Sequence, residues 1–178
     1  MLHQAQQALV SLQTKAEQEA ALQRENEAIA KGIMAEIAAL PNPLTLLDAK
    51  AVQNVEQKFE RLTKAQQSFV TNQDVLQAAV MAIEELQAMQ QADETAAAAV
   101  EEVIAALPVV LTLEHAEDVA QAVAAFDALT AAQQALVTNQ DELDEAKATI
   151  AKLQATQKAN EAAAVAMMEL IATLEGTL

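Results

Sequence analysis

The chain has no cysteine, no tryptophan and no tyrosine. Without cysteine there is no disulfide framework, no thiolate metal site and no cysteine nucleophile. Its only aromatic residues are three phenylalanines. A core must therefore be built from Ala, Leu, Val and Ile, which suits helices packed side by side better than an α/β core. Two glycines and three prolines among 178 residues leave few places for tight turns. Positive charge is also scarce: ten Lys plus Arg stand against twenty-six acids, a formal charge of −16. That argues against nucleic acid or an anionic membrane as a partner, because both select basic patches. No run of eighteen apolar residues occurs, so membrane insertion is not expected. The opening MLHQAQQALVSLQTK lacks the basic and apolar regions of a signal peptide. The expectation is a cytosolic protein or an excised piece of a longer one.

What the chain does have is Ala, Glu, Gln, Lys and Leu, the strong helix formers. The expected fold class is all-α. The chain is also a repeat. LTKAQQSFVTNQDVL (62–76) matches LTAAQQALVTNQDEL (129–143), and Leu40-Pro41, Thr45, Phe59 and Thr71 all recur after 67 residues, at Leu107-Pro108, Thr112, Phe126 and Thr138. About half of the aligned positions are identical, which marks a tandem architecture. The frame runs past both full units. Asn26-Glu27 lines up with Asp93-Glu94 and Asn160-Glu161, and the final LIATLEGTL lines up with VIAALPVVL. The expected division is 1–25 as the helix end of a preceding repeat, 26–92 and 93–159 as two repeats, and 160–178 as the start of a following one.

Each repeat carries three helix-start signals. Thr45 precedes Asp48, and Thr112 precedes His115. Thr63 and Thr130 are followed at i+3 by Gln66 and Gln133, and Thr71 and Thr138 by Asp74 and Asp141. A threonine oxygen can accept from an orphan N–H of the first turn, while a Gln or Asp at i+3 can reach back to the cap's own N–H. These six threonines are the expected caps, with Asn72 and Asn139 as alternatives at the third corner. VTNQD is then the corner where a two-turn helix gives way to a long one. A binding role for Asn72, Gln73, Asn139 and Gln140 stays open, since such side chains can also hold a ligand.

Apolar residues follow a helical period. The second helix of the first repeat carries Leu46, Ala49, Val52, Val55, Phe59 and Leu62. In the second repeat the stripe is Leu113, Ala116, Val119, Val123, Phe126 and Leu129. The third helices carry Leu76, Ala79, Ile83, Leu86 and Leu143, Ala146, Ile150, Leu153. Phe59 and Phe126 are expected at the bundle centres. Between Leu76 and Leu107 there is no Gly and no Pro, so one long helix should link the repeats until Pro108 stops it. The predicted architecture is an elongated rod of tandem three-helix bundles sharing long continuous helices, with a spectrin-like layout.

Chemistry is thinly represented. His3 and His115 have no ligand-spaced partner, and His115 reads as a surface residue. The acids at Glu84-Glu85, Glu101-Glu102 and 141–145 match no calcium loop and read as solvated faces. Met34, Met81, Met89, Met167 and Met168 read as core or near-core filler. No nucleotide-binding or nucleophile motif occurs, so neither an enzyme nor a cofactor is expected.

The pattern LP-x3-TL-x2-A-x2-V-x6-F-x2-LT-x2-Q-x2-LVTN-x3-L-x2-A over residues 107–146 resembles a helical repeat of bacterial surface proteins. Such repeats occur in tandem in large secreted, S-layer-associated or wall-anchored proteins of Gram-positive and related bacteria. The family usually has Tyr where Phe59 and Phe126 stand, and often Lys at the positions of Gln67 and Gln134. The first unit departs further, with Phe69 where the second has Leu136. The resemblance implies an extracellular, cell-surface spacer or stalk, or an adhesin-type module that recognises a host protein or glycan. The other implied partners are neighbouring repeats of the same chain. It brings no catalytic residue and no cofactor.

Overall fold

The absence of helix breakers between Leu76 and Leu107 has a direct consequence. The computed structural model describes residues 2–175, and there Gln73–Ala105 is one unbroken helix of 33 residues. Among the described residues every regular element is a helix. Three are long: α1 (Leu2–Ala38), α4 (Gln73–Ala105) and α7 (Gln140–Glu175). Four short ones lie between them: α2 (Ala49–Glu60), α3 (Lys64–Gln67), α5 (Ala116–Asp127) and α6 (Ala131–Gln134). Single 3-10 turns at Leu46–Asp48 and Leu113–His115 lead into α2 and α5. The aligned Thr177-Leu178 and Gly176 lie outside the described residues.

The chain divides into two compact units, residues 1–89 and 90–178. In the first, Ala30, Ile33 and Ile37 of α1 meet Val55 of α2, Val70 and Leu76 of α4 in one cluster. Val52, Ala79 and Ile83 form a second. The other unit repeats this with Ala97, Val100 and Ile104 of α4 against Ala122, Val137 and Leu143, beside Val119, Ala146 and Ile150. Eighteen hydrophobic residues are buried among those described, and they form nine pairs, each 67 residues apart. The repeat is thus a repeat of core positions. Each buried Val, Leu or Ile stabilises its unit by roughly 1.5–3 kcal/mol before the cost of ordering the chain.

Several sequence expectations are corrected here. The partner of Val55 is Ala122, fully buried, whereas Val123 packs only partly against the core. The strict offset places Ala122 there, and Val123 is one residue round the helix. Phe59 and Phe126 are not at the centres. Both are half-buried and pack against the edge of a cluster, because the space between close helices is filled by Ala, Val and Ile and is too narrow for a ring. Met34 does pack on the core. Met81 and Met89 lie exposed on α4, and Met167 and Met168 lie exposed on α7, where no described helix covers them.

Cross-helix charge is used sparingly. Lys58 of α2 pairs with Glu36 of α1 at 2.7 Å, both about 40% exposed, so the pair contributes at most about 1 kcal/mol. The corresponding residues of the other unit are Ala125 and Val103, and the pair is absent there.

Candidate functional site

The polar residues that recur in both units gather at helix ends. Thr63 lies in extended backbone, and its hydroxyl accepts from Gln66 N–H while its own N–H donates to Gln66 Oε1 at 2.9 Å. Thr130 and Gln133 repeat both bonds. These are reciprocal capping boxes, each using two orphan groups. One residue on, Gln67 and Gln134 donate to the carbonyls of Phe59 and Phe126 at 3.1 Å and so tie down the ends of α2 and α5. Gln133 also reaches Asp93 of α4 at 2.8 Å.

At the first cap the side chain at i+3 reaches back to the cap N–H as expected, but the threonine hydroxyl turns to that side chain rather than to a backbone N–H. The Thr45 hydroxyl donates to Asp48 Oδ2 at 2.8 Å, and the Thr45 N–H donates to the same oxygen. At Thr112 the acceptor is His115 Nδ1, which takes the N–H at 3.0 Å and lies 3.2 Å from the hydroxyl. His115 is therefore a half-buried cap acceptor rather than a free surface residue. Its position opposite Asp48 in the repeat was the available signal.

At the VTN corner the residues that precede the helices are the alternatives, Asn72 and Asn139, rather than the threonines. Thr71 and Thr138 do not cap α4 and α7. Those helices begin at Gln73 and Gln140, and the carbonyls of Asn72 and Asn139 accept their first turn bonds. The threonines stand one residue too early to reach an orphan N–H, and they turn to the preceding long helix instead. Thr138 donates its N–H and hydroxyl to Glu101 Oε1, at 2.7 and 2.6 Å. Thr71 offers the same two groups to Met34 Sδ, at 3.4 and 3.3 Å. Asn72 and Asn139 donate to the backbone carbonyls of Met34 and Glu101, at 3.0 and 3.1 Å. Their side-chain oxygens are buried without a hydrogen-bond partner, at helix starts whose positive ends offset part of that cost.

The four candidate binding residues thus do not form one exposed face. Asn72 and Asn139 are half-buried and bonded inward, while Gln73 and Gln140 are exposed. The partners on the preceding helix, Met34 and Glu101, lie 37 residues upstream of the threonines they meet, beyond the reach of any local sequence pattern.

Met34 and Glu101 occupy the same repeat position, so one corner is closed by a thioether and the other by a carboxylate. The two bonds from Thr138 favour the ionised form and hold Glu101 below its ordinary value of 4.5. A carboxylate whose folded pKa is depressed stabilises the fold above its unfolded pKa, and that contribution is lost as pH falls through the folded pKa. Denaturant midpoints measured at pH 7 and pH 3 should therefore fall less on acidification in Glu101→Gln than in the parent chain. Equal acid sensitivity in both would remove Glu101 from the account.

Grooves flank the Leu-Pro turns. In the first unit one of about 610 Å³ is lined by Leu40, Pro41, Val75, Ala79, Leu86 and Met89. In the second the corresponding groove is about 320 Å³ and carries Glu142, Glu145 and Thr149. Among the described residues no three His, Cys, Asp or Glu gather to hold a metal ion, and no helix is long and apolar enough to cross a membrane. Comparison with models of protein families, with curated proteins and with solved structures finds no match.

Proposed function

We propose that this chain is a non-catalytic spacer, a stalk segment of a larger bacterial cell-surface protein. It would be built as tandem three-helix bundles that share long helices and extend as a rod. The observation that carries the reading is α4. Its first half supplies Leu76, Ala79 and Ile83 to one core, and its second half supplies Ala97, Val100 and Ile104 to the next. A 33-residue helix spans about 50 Å, and a continuous helix resists bending. Of the four corner residues open to a ligand-binding role, Asn72 and Asn139 are spent on internal bonds, which favours the spacer over an adhesion or ligand-binding module. The excess of acid on the outer faces would limit lateral clumping.

Small-angle scattering extrapolated to infinite dilution tests this reading. The expected particle is elongated, with the length of two bundles end to end. A compact particle would overturn it.

A further inference from the structure

The corner before α4 ends two hydrogen bonds on a weak acceptor. Thr71 aims its N–H and hydroxyl at Met34 Sδ, at 3.4 and 3.3 Å, and a thioether sulfur accepts only weakly. In the other unit the same two donors meet Glu101 Oε1, at 2.7 and 2.6 Å. The backbones are held alike, since Asn72 and Asn139 clamp the carbonyls of Met34 and Glu101 at 3.0 and 3.1 Å. The two acceptors differ by one bond. Methionine Sδ and the glutamate carboxyl carbon are each third from Cα, and Oε1 comes one atom later. An oxygen at 2.6 Å places its carboxyl carbon about 3.4 Å from the donor. Met34 Sδ stands 3.3 Å from the Thr71 hydroxyl, so the sulfur takes the carbon's place. An oxygen added to it falls where Oε1 falls in the other unit, and the methyl group corresponds to the second carboxylate oxygen.

We propose that Met34 is a site of oxidation by a hydroperoxide, and that the sulfoxide oxygen takes over both donors of Thr71, so that oxidation tightens the corner. The sulfur lone pair attacks one peroxide oxygen, the O–O bond breaks and an S–O bond forms. Sulfur gives up two electrons. The proton on the transferred oxygen passes to the leaving oxygen, which departs as water or an alcohol. Sulfoxide formation at a methionine packed on a core ordinarily disrupts that core. Met34 does pack on one, but the sulfur also faces Thr71, which is exposed, and the repeat shows that this slot takes an oxygen. Thr71 stands over the reacting lone pair, so the corner must loosen first. Met34 therefore reacts more slowly than Met168, which holds the same repeat position and is 62% exposed. The proposal does not depend on the spacer reading.

The test uses the full chain carrying Met81→Leu, Met89→Leu and Met167→Leu, three exposed positions, with hydrogen peroxide as the probe. Peptide mass spectrometry should show Met168 oxidised first and Met34 later but completely, with helicity by circular dichroism retained throughout. The urea midpoint of the oxidised chain should lie about 0.3 M above that of the untreated chain. Thr71→Val removes the hydroxyl donor and leaves the N–H, and the rise should be smaller there. Thr71→Ser keeps both donors and should match the parent. Met34→Leu should show no rise, which removes any contribution from the remaining methionines. A Met34 that stays reduced while the chain is folded overturns the proposal, as does a midpoint that falls or stays level on oxidation. A rise of equal size in Thr71→Val or in Met34→Leu would put the effect elsewhere and overturn it as well.

Discussion

Ile37→Ala should destabilise the first unit by about 3–4 kcal/mol, near the upper part of the range for emptying a fully buried aliphatic site. Ile37 is 1% exposed, and its cluster draws on α1, α2, α4 and Val70. Little of the space it leaves can close. Its neighbours are largely small or β-branched, and these have few alternative rotamers with which to fill a gap. Ile104 holds the same position in the other unit at 2% exposure, so Ile104→Ala should cost a similar amount there. Urea denaturation followed by circular dichroism measures both. A loss below about 1 kcal/mol in either variant would mean that the shared register does not carry equal energy. By contrast, Phe59 and Phe126 stand half-exposed at the edges of their clusters, so ring size does not by itself rank the sites.

How much of this was legible in the sequence depended on the distance each interaction spans. The Thr63–Gln66 and Thr130–Gln133 boxes involve residues three apart, and reading i and i+3 was enough. Leu76, Ala79 and Ile83 with their counterparts were marked by a spacing of three and four, and all six are buried. Depth was another matter. Period puts Phe59 on the inner face of α2 but does not say whether a ring fits between two close backbones. Composition misled for Met81 and Met89, which are apolar yet lie on the outer side of α4. The tie from Thr138 to Glu101 joins a corner to the preceding long helix across 37 residues, so only the packed structure reveals it. The repeat register also carries information: Met34 and Glu101 occupy one position, and so do Asp48 and His115. A position that holds a polar group in one copy of a shared fold invites the question of what that group touches.

Ala96→Pro is the more searching substitution, because it acts on the helix that serves both cores. Proline at 96 removes the N–H that would bond to the carbonyl of Ala92, and its ring collides with that carbonyl, at a cost of about 3 kcal/mol or more. Ala96 lies next to Ala97, where the core of the second unit begins, but most of the residues of the first unit's core lie well before it. If α4 makes the units unfold together, the parent chain should melt in one transition. The variant should then melt in two, with the second unit first. Ala96→Gly, at about 1 kcal/mol, loosens the helix without the clash and should leave the single transition. Ala163→Pro supplies the other control. It makes the same change at the repeat-equivalent position on α7, in an exposed stretch that no described helix covers. It should cost helicity without splitting the melt. Differential scanning calorimetry distinguishes these outcomes. A single, unshifted transition in Ala96→Pro would mean that the continuity of α4 does not couple its two cores. The spacer would then be a string of independent units rather than a stiff one.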